Sequence, residues 1–126
     1  MNYKQFNKYC SELPGTTYVM QWGESHVWKV CGKVFAIGGW VDDEPGYTFK
    51  VSPWAFEVLS DQPGLRPAPY LASRGLKWIQ HYAKPGLSDK QLKDYLRQSY
   101  DLVLKGVSKK KRLEEGLLQE TQSDKA

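Results

Sequence analysis

Cysteine is scarce in this chain of 126 residues, with Cys10 and Cys31 the only two. Two thiols make neither a disulfide framework nor, alone, a zinc site, and both are expected to be reduced thiols of a cytoplasmic protein. Histidine is as rare. Neither His26 nor His81 has a cysteine, histidine or carboxylate at metal-ligand spacing. There is no His-Glu-x-x-His, Cys-x-x-Cys or Gly-x-Ser-x-Gly pattern, and Gly38-Gly39 lacks the Lys-Ser/Thr ending and following helix of a phosphate loop. No apolar run approaches the roughly 20 residues a membrane-spanning helix needs. The opening Met-Asn-Tyr-Lys-Gln-Phe has no apolar segment, so no secretory signal is expected. Internal repeats and low-complexity stretches are also missing. These absences exclude a membrane protein, a secreted disulfide knot and a disordered tail. They leave no catalytic residue, metal ligand or cofactor to name, and the chain is read as non-enzymatic.

What is present is a modest core and an uneven charge. Hydrophobic residues make up 40% of the chain and aromatics 13%, enough for one soluble domain at 14.5 kDa. The formal net charge of +4 conceals three blocks: −2 over residues 1–63, +9 over 64–112 and −3 over 113–126. So concentrated a cationic block points to a polyanionic partner, most often nucleic acid, although lysines also solvate ordinary helix and loop surfaces.

Periodicity and punctuation predict the elements. A helix runs over about 3–13, capped by Asn2 with Gln5 and ended by Pro14-Gly15, with Phe6, Tyr9, Cys10 and Leu13 on one face. Strands follow over 16–22, 26–31 and 33–38, the last two joined by a hairpin signal at Gly32-Lys33 with Gly in the first central position. Asp42-Asp43-Glu44-Pro45-Gly46 is turn composition before a strand over 47–51, where Tyr47, Phe49 and Val51 share one face and Thr48 and Lys50 the other. Ser52-Pro53 starts a short helix to about Ser60. Residues 61–75 read as an irregular proline-containing connection and 76–82 as a further strand. Ser88 and Gln91 form a capping box for a last helix over about 89–112, which Gly106 can break or cap, with Leu92, Tyr95, Leu96, Ser99 and Val103 buried. The result is an α+β domain over 1–112, an antiparallel meander with helices on one face, followed by a polar, frayed tail over 113–126.

The candidate binding residues are basic. Lys29, Lys33 and Lys50 belong to the hairpins, Arg66, Arg74 and Lys77 to the proline-rich connection and its exit, and Lys109, Lys110, Lys111 and Arg112 to the helix end. Their role would be phosphate contact, which positions a nucleic acid without reading its sequence. Trp28 and Val30 must face away from Lys29, and Trp22, Trp54 and Trp78 are expected in the core rather than as stacking platforms.

Five stretches in order, Lys29-Val-Cys-Gly-Lys-Val-Phe-Ala36, Phe49-Lys-Val-Ser-Pro53, Arg66-Pro-Ala-Pro-Tyr70 with Lys77-Trp78, Ser99-Tyr100 and Lys109–Arg112, resemble the MmcQ/YjbR family of small bacterial proteins over about residues 3–112. The resemblance implies a CyaY/frataxin-like α+β fold and a DNA-binding role in which the hairpins act as a double wing. It carries no catalytic motif. An iron-handling role would need an acidic first helix, and this one holds Lys4, Lys8 and only Glu12. The expectation is a cytoplasmic monomer that binds DNA without catalysis. The alternative is a protein–protein adaptor using the proline-rich connection or an exposed sheet face, with binding that salt barely affects.

Overall fold

The computed structural model describes residues 1–41, 45–71 and 74–117. Its elements run α1 (Tyr3–Ser11), β1 (Thr16–Gln21), β2 (Ser25–Val30), β3 (Lys33–Gly38), β4 (Tyr47–Lys50), α2 (Pro53–Leu59), β5 (Leu65–Pro67), β6 (Trp78–His81), α3 (Asp89–Lys105) and α4 (Lys109–Glu114). The strands form one six-stranded antiparallel sheet in the order β1-β2-β3-β4-β6-β5. The fold is therefore α+β, as expected, but the sheet is not a simple meander, because β6 enters between β4 and the edge strand β5. The proposed tail falls mostly at 118–126, outside the described residues, as does the acidic turn at 42–44.

Local chemistry sets the helix ends. The Asn2 side chain accepts from the Gln5 amide while the Gln5 side chain accepts from the Asn2 amide, and Ser88 and Gln91 repeat this capping box at α3. Ser52 accepts from the Ala55 amide, with Pro53 filling the first turn of α2, where its missing N–H costs nothing. The single helix expected over 89–112 is instead two. Gly106 caps α3, and Ser108 then starts α4 by accepting from the Lys111 amide.

The hairpin between β2 and β3 also differs from expectation. Val30 pairs with Lys33, so the two turn residues are Cys31 (φ 52°) and Gly32 (φ 75°). Both sit in the left-handed region, a type I′ turn with glycine in the second position. Further along, Trp28 pairs with Ala36 and Lys29 with Val34, leaving Phe35 as the extra residue of a β-bulge. Phe35 and Ala36 consequently both reach the core.

That core lies between the sheet and the helices. Phe6, Cys10, Phe35, Tyr47, Phe49, Ile79, Leu92 and Leu96 are all buried in one cluster, which Ala55 and Leu59 of α2 join. Helix α3 packs on β3 and β4, α1 on β1 to β3, and α2 on β5 and β6. The strand register puts Val27, Ile37, Thr48 and Gln80 in one row on the opposite face. All four members of this row are buried. Its polar members are satisfied: Arg66 donates from Nε (2.8 Å) and Nη2 (2.6 Å) to Gln80 Oε1, and Gln80 Nε2 reaches Thr48 Oγ1 at 3.4 Å.

Candidate nucleic-acid interface

The bulge at Phe35 positions the site. Beside it, the hydroxyl of buried Ser99 donates to the Phe35 carbonyl (2.6 Å) and accepts from the Lys50 amide (2.8 Å), bridging β3 and β4 just past the last pair of their ladder, Ala36 and Phe49. Helix α3 is thereby fixed to both strands, and its last turn is set over the end of the sheet that carries Lys50.

Lys33 at the start of β3 and Lys50 at the end of β4 line one cleft of about 430 Å³ with Val34, Trp78, Val103 and Gly106. No carboxylate is among these lining residues. Lys29 stands across from Val34 on the next strand. Lys77, just before Trp78, holds its ammonium 4.8 Å from the Phe56 ring centre, a cation–π contact. The β2–β3 turn leads to α4: burial raises the Cys31 thiol pKa and Glu115 raises it further, while Lys111 and Arg112 pull it down. Lys111 also pairs with Glu115 at 3.2 Å on the surface, and Lys109 and Lys110 are exposed in the first turn of α4. Among the described residues, no ion pair engages Lys29, Lys33, Lys50, Lys77, Lys109 or Lys110.

Two of the expected residues stand apart from this end of the sheet. Arg66 is committed internally, clamping Gln80 while stacking 4.5 Å over the Tyr82 ring. Arg74 lies exposed in the 68–77 connection. One residue not singled out from the sequence joins the group: Lys105, in the last turn of α3, lines an adjoining cleft with Ser52 and Asp101. Its signal was Gly106, which ends the helix there.

The aromatics divide differently from expectation. Trp78 is buried, but Trp54 is 73% and Trp22 49% exposed. Trp54 begins α2 on its outer side. Trp22 occupies the β1–β2 turn, where the backbone conformation directs it away from the core. Its ring lies 5.8 Å from that of half-buried Trp40, which in turn lies 6.5 Å from that of Tyr70, 80% exposed. All three hold positive φ, at 54°, 66° and 69°. For bulky side chains this region costs about 1–3 kcal/mol per residue.

The histidines have different surroundings. His26 Nδ1 is bonded to Tyr18 Oη at 2.8 Å and contacts the Asn7 amide at 3.3 Å. His81 is half-buried with neither ring nitrogen partnered, and burial lowers its pKa. It lines a cavity of about 730 Å³ with Tyr47, Lys84 and Asp89. Among the described residues no group of three His, Cys, Asp or Glu side chains could hold a metal, and no helix is long and apolar enough to cross a membrane.

Fold and site together define an α+β domain with its helices on one sheet face and a lysine-lined cleft at one sheet end. The chain belongs to the YjbR family, whose model matches residues 11–102. It is similar to the crystal structure of Deinococcus radiodurans protein DR2400, of the DUF419 domain family, at 26% identity and a TM-score of 0.79, covering 93% of this chain and 89% of that one. A Pseudomonas syringae protein shares the fold at 22% identity and a TM-score of 0.63, covering 81% of this chain and 98% of that one. No curated protein matches.

Proposed function

We propose that this protein is a non-catalytic nucleic-acid-binding module that holds phosphates at the end of the sheet bearing Lys33 and Lys50. One observation carries the reading. Lysines from two separate strands share a cleft at the end of α3 with no carboxylate among its described lining residues, and the cations of α4 lie beside the adjacent turn. Unpaired ammonium groups so arranged attract a polyanion and release its counterions on binding. DNA is the partner expected, and its phosphates would be held without sequence readout.

The test is fluorescence anisotropy with labelled duplex and single-stranded DNA at low and near-physiological salt. Binding should weaken steeply with salt. Lys33→Ala/Lys50→Ala should reduce affinity for all sequences alike and flatten the duplex salt slope by about 0.9 for each phosphate no longer neutralised. Lys109, Lys110 and Lys111 changed together to Ala should act in the same direction, and unchanged affinity would remove α4 from the site. Binding that salt barely affects would favour a protein partner instead.

A further inference from the structure

The aromatic cluster at the opposite end of the sheet has no part in that phosphate site. Trp22, Trp40 and Tyr70 come from three separate connections, the β1–β2 turn, the segment after β3 and the segment after β5. Each holds a backbone conformation that bulky residues rarely adopt, and the outcome is a shared surface rather than a core: Trp22 and Tyr70 remain 49% and 80% exposed. Backbone conformations of this kind cluster at ligand-contact sites. Neighbouring rings are already in contact, at 5.8 and 6.5 Å. With 49% of Trp22 and 80% of Tyr70 exposed, what they offer is outward-facing π surface.

We propose that Trp22, Trp40 and Tyr70 form a stacking surface for the unpaired bases of a single-stranded nucleic acid. The proposal rests on the phosphate-binding reading above. The chain leaves β5 at the basic end, where the Ala68 amide donates to the Trp78 carbonyl, and two residues on brings Tyr70 to the Trp40 ring. Along β3 the step from Lys33 to Gly38, two residues before Trp40, is five residues or about 17 Å. A few nucleotides span that distance, within the roughly 4–16 nucleotides of known single-strand sites. Glu24, exposed two residues after Trp22, disfavours a phosphate there and leaves a neutral base face unaffected. Bases thus stack at the aromatic end while phosphates sit on the lysine side.

The experiment compares an oligothymidine of about 12 nucleotides with an abasic strand of equal phosphate number, using anisotropy and tryptophan fluorescence. The wild-type protein should bind the oligothymidine more tightly, by roughly 5- to 100-fold per stacked base, with quenching that the abasic strand does not produce. Trp22→Ala/Tyr70→Ala should abolish that preference and leave abasic binding unchanged, whereas Tyr70→Phe should retain it. Equal wild-type affinity for both strands would overturn the stacking surface and leave the phosphate site standing. Absence of salt-dependent binding to either strand or to duplex would overturn both. The wild-type comparison needs no variant to fold.

Discussion

Removing the Ser99 hydroxyl should be costly well beyond what one serine usually contributes. Its oxygen donates to the Phe35 carbonyl at 2.6 Å and accepts from the Lys50 amide at 2.8 Å, at a residue with no exposed surface. In Ser99→Ala the Phe35 carbonyl loses a partner in the buried core and the Lys50 amide loses one at a part-buried position. An unsatisfied buried polar group costs about 1–3 kcal/mol, so two give roughly 2–4 kcal/mol once partial closure of the strands is allowed for. That is a large share of the about 5–15 kcal/mol that stabilises a domain.

Urea unfolding followed by circular dichroism measures this directly, provided the slope against denaturant is unchanged. Ser88→Ala is the internal control. That residue caps α3 in an exposed position, and its loss should cost about 1 kcal/mol. If Ser99→Ala cost no more than the control, the hydroxyl would not be bridging the bulge, and β4 would present Lys50 without help from α3.

Three further outcomes are expected. Burial holds the His81 pKa below its ordinary 6.5, so the unfolded chain takes up that proton first; stability is full above that pH and declines as pH falls through it. His81→Leu should flatten this part of a pH series of thermal melts. Gly32→Ala and Gly64→Ala should differ sharply although both positions have positive φ: the first opens on free space and costs about 1–2 kcal/mol, while the second drives a methyl into the backbone of Ala83 and Gly86 and costs more than about 3 kcal/mol in denaturant unfolding. Arg66→Ala should destabilise by about 2–3 kcal/mol, because it strips buried Gln80 of a charge-assisted partner. It should leave the affinity for phosphates unchanged, and a large affinity loss in folded protein would return Arg66 to the binding surface.

Elements with local causes were legible in the sequence. The two capping boxes and the Ser52-Pro53 start depend on contacts three residues apart, and β3 has the predicted bounds because Gly32 before it and Gly38-Gly39 at its end punctuate the chain locally. Strand β5 was not legible. It has three residues and ends in Pro67, and only its pairing with β6 makes it a strand. Burial of Thr48 and Gln80 was hidden for a related reason, since their partner Arg66 is distant in sequence and such polar rows carry no hydrophobic signal. Trp22 and Trp54 show the converse: hydrophobicity tells what gains by burial, whereas the turn and the helix face decide whether burial occurs.

The same distinction governs the site. Summed along the chain, charge marks residues 64–112 as cationic at +9 and residues 1–63 as slightly acidic at −2. Yet the cleft is built on Lys33 and Lys50 from the acidic half, brought against Gly106 at the end of the helix from the basic half. A field depends on positions in space, and antiparallel pairing of β3 and β4 returns the chain to the same sheet end between residues 33 and 50. Among the described residues, no acid of that half lines the cleft. Sheet topology, rather than block composition, therefore decides which lysines act together, and a charge-swap series should respect it. Lys33→Glu should weaken polyanion binding more than Lys90→Glu, although Lys90 lies within the +9 block. Lys90 stands in the first turn of α3, at the far end of that helix from Gly106, where a phosphate held in the cleft is more than one screening length of about 8 Å away.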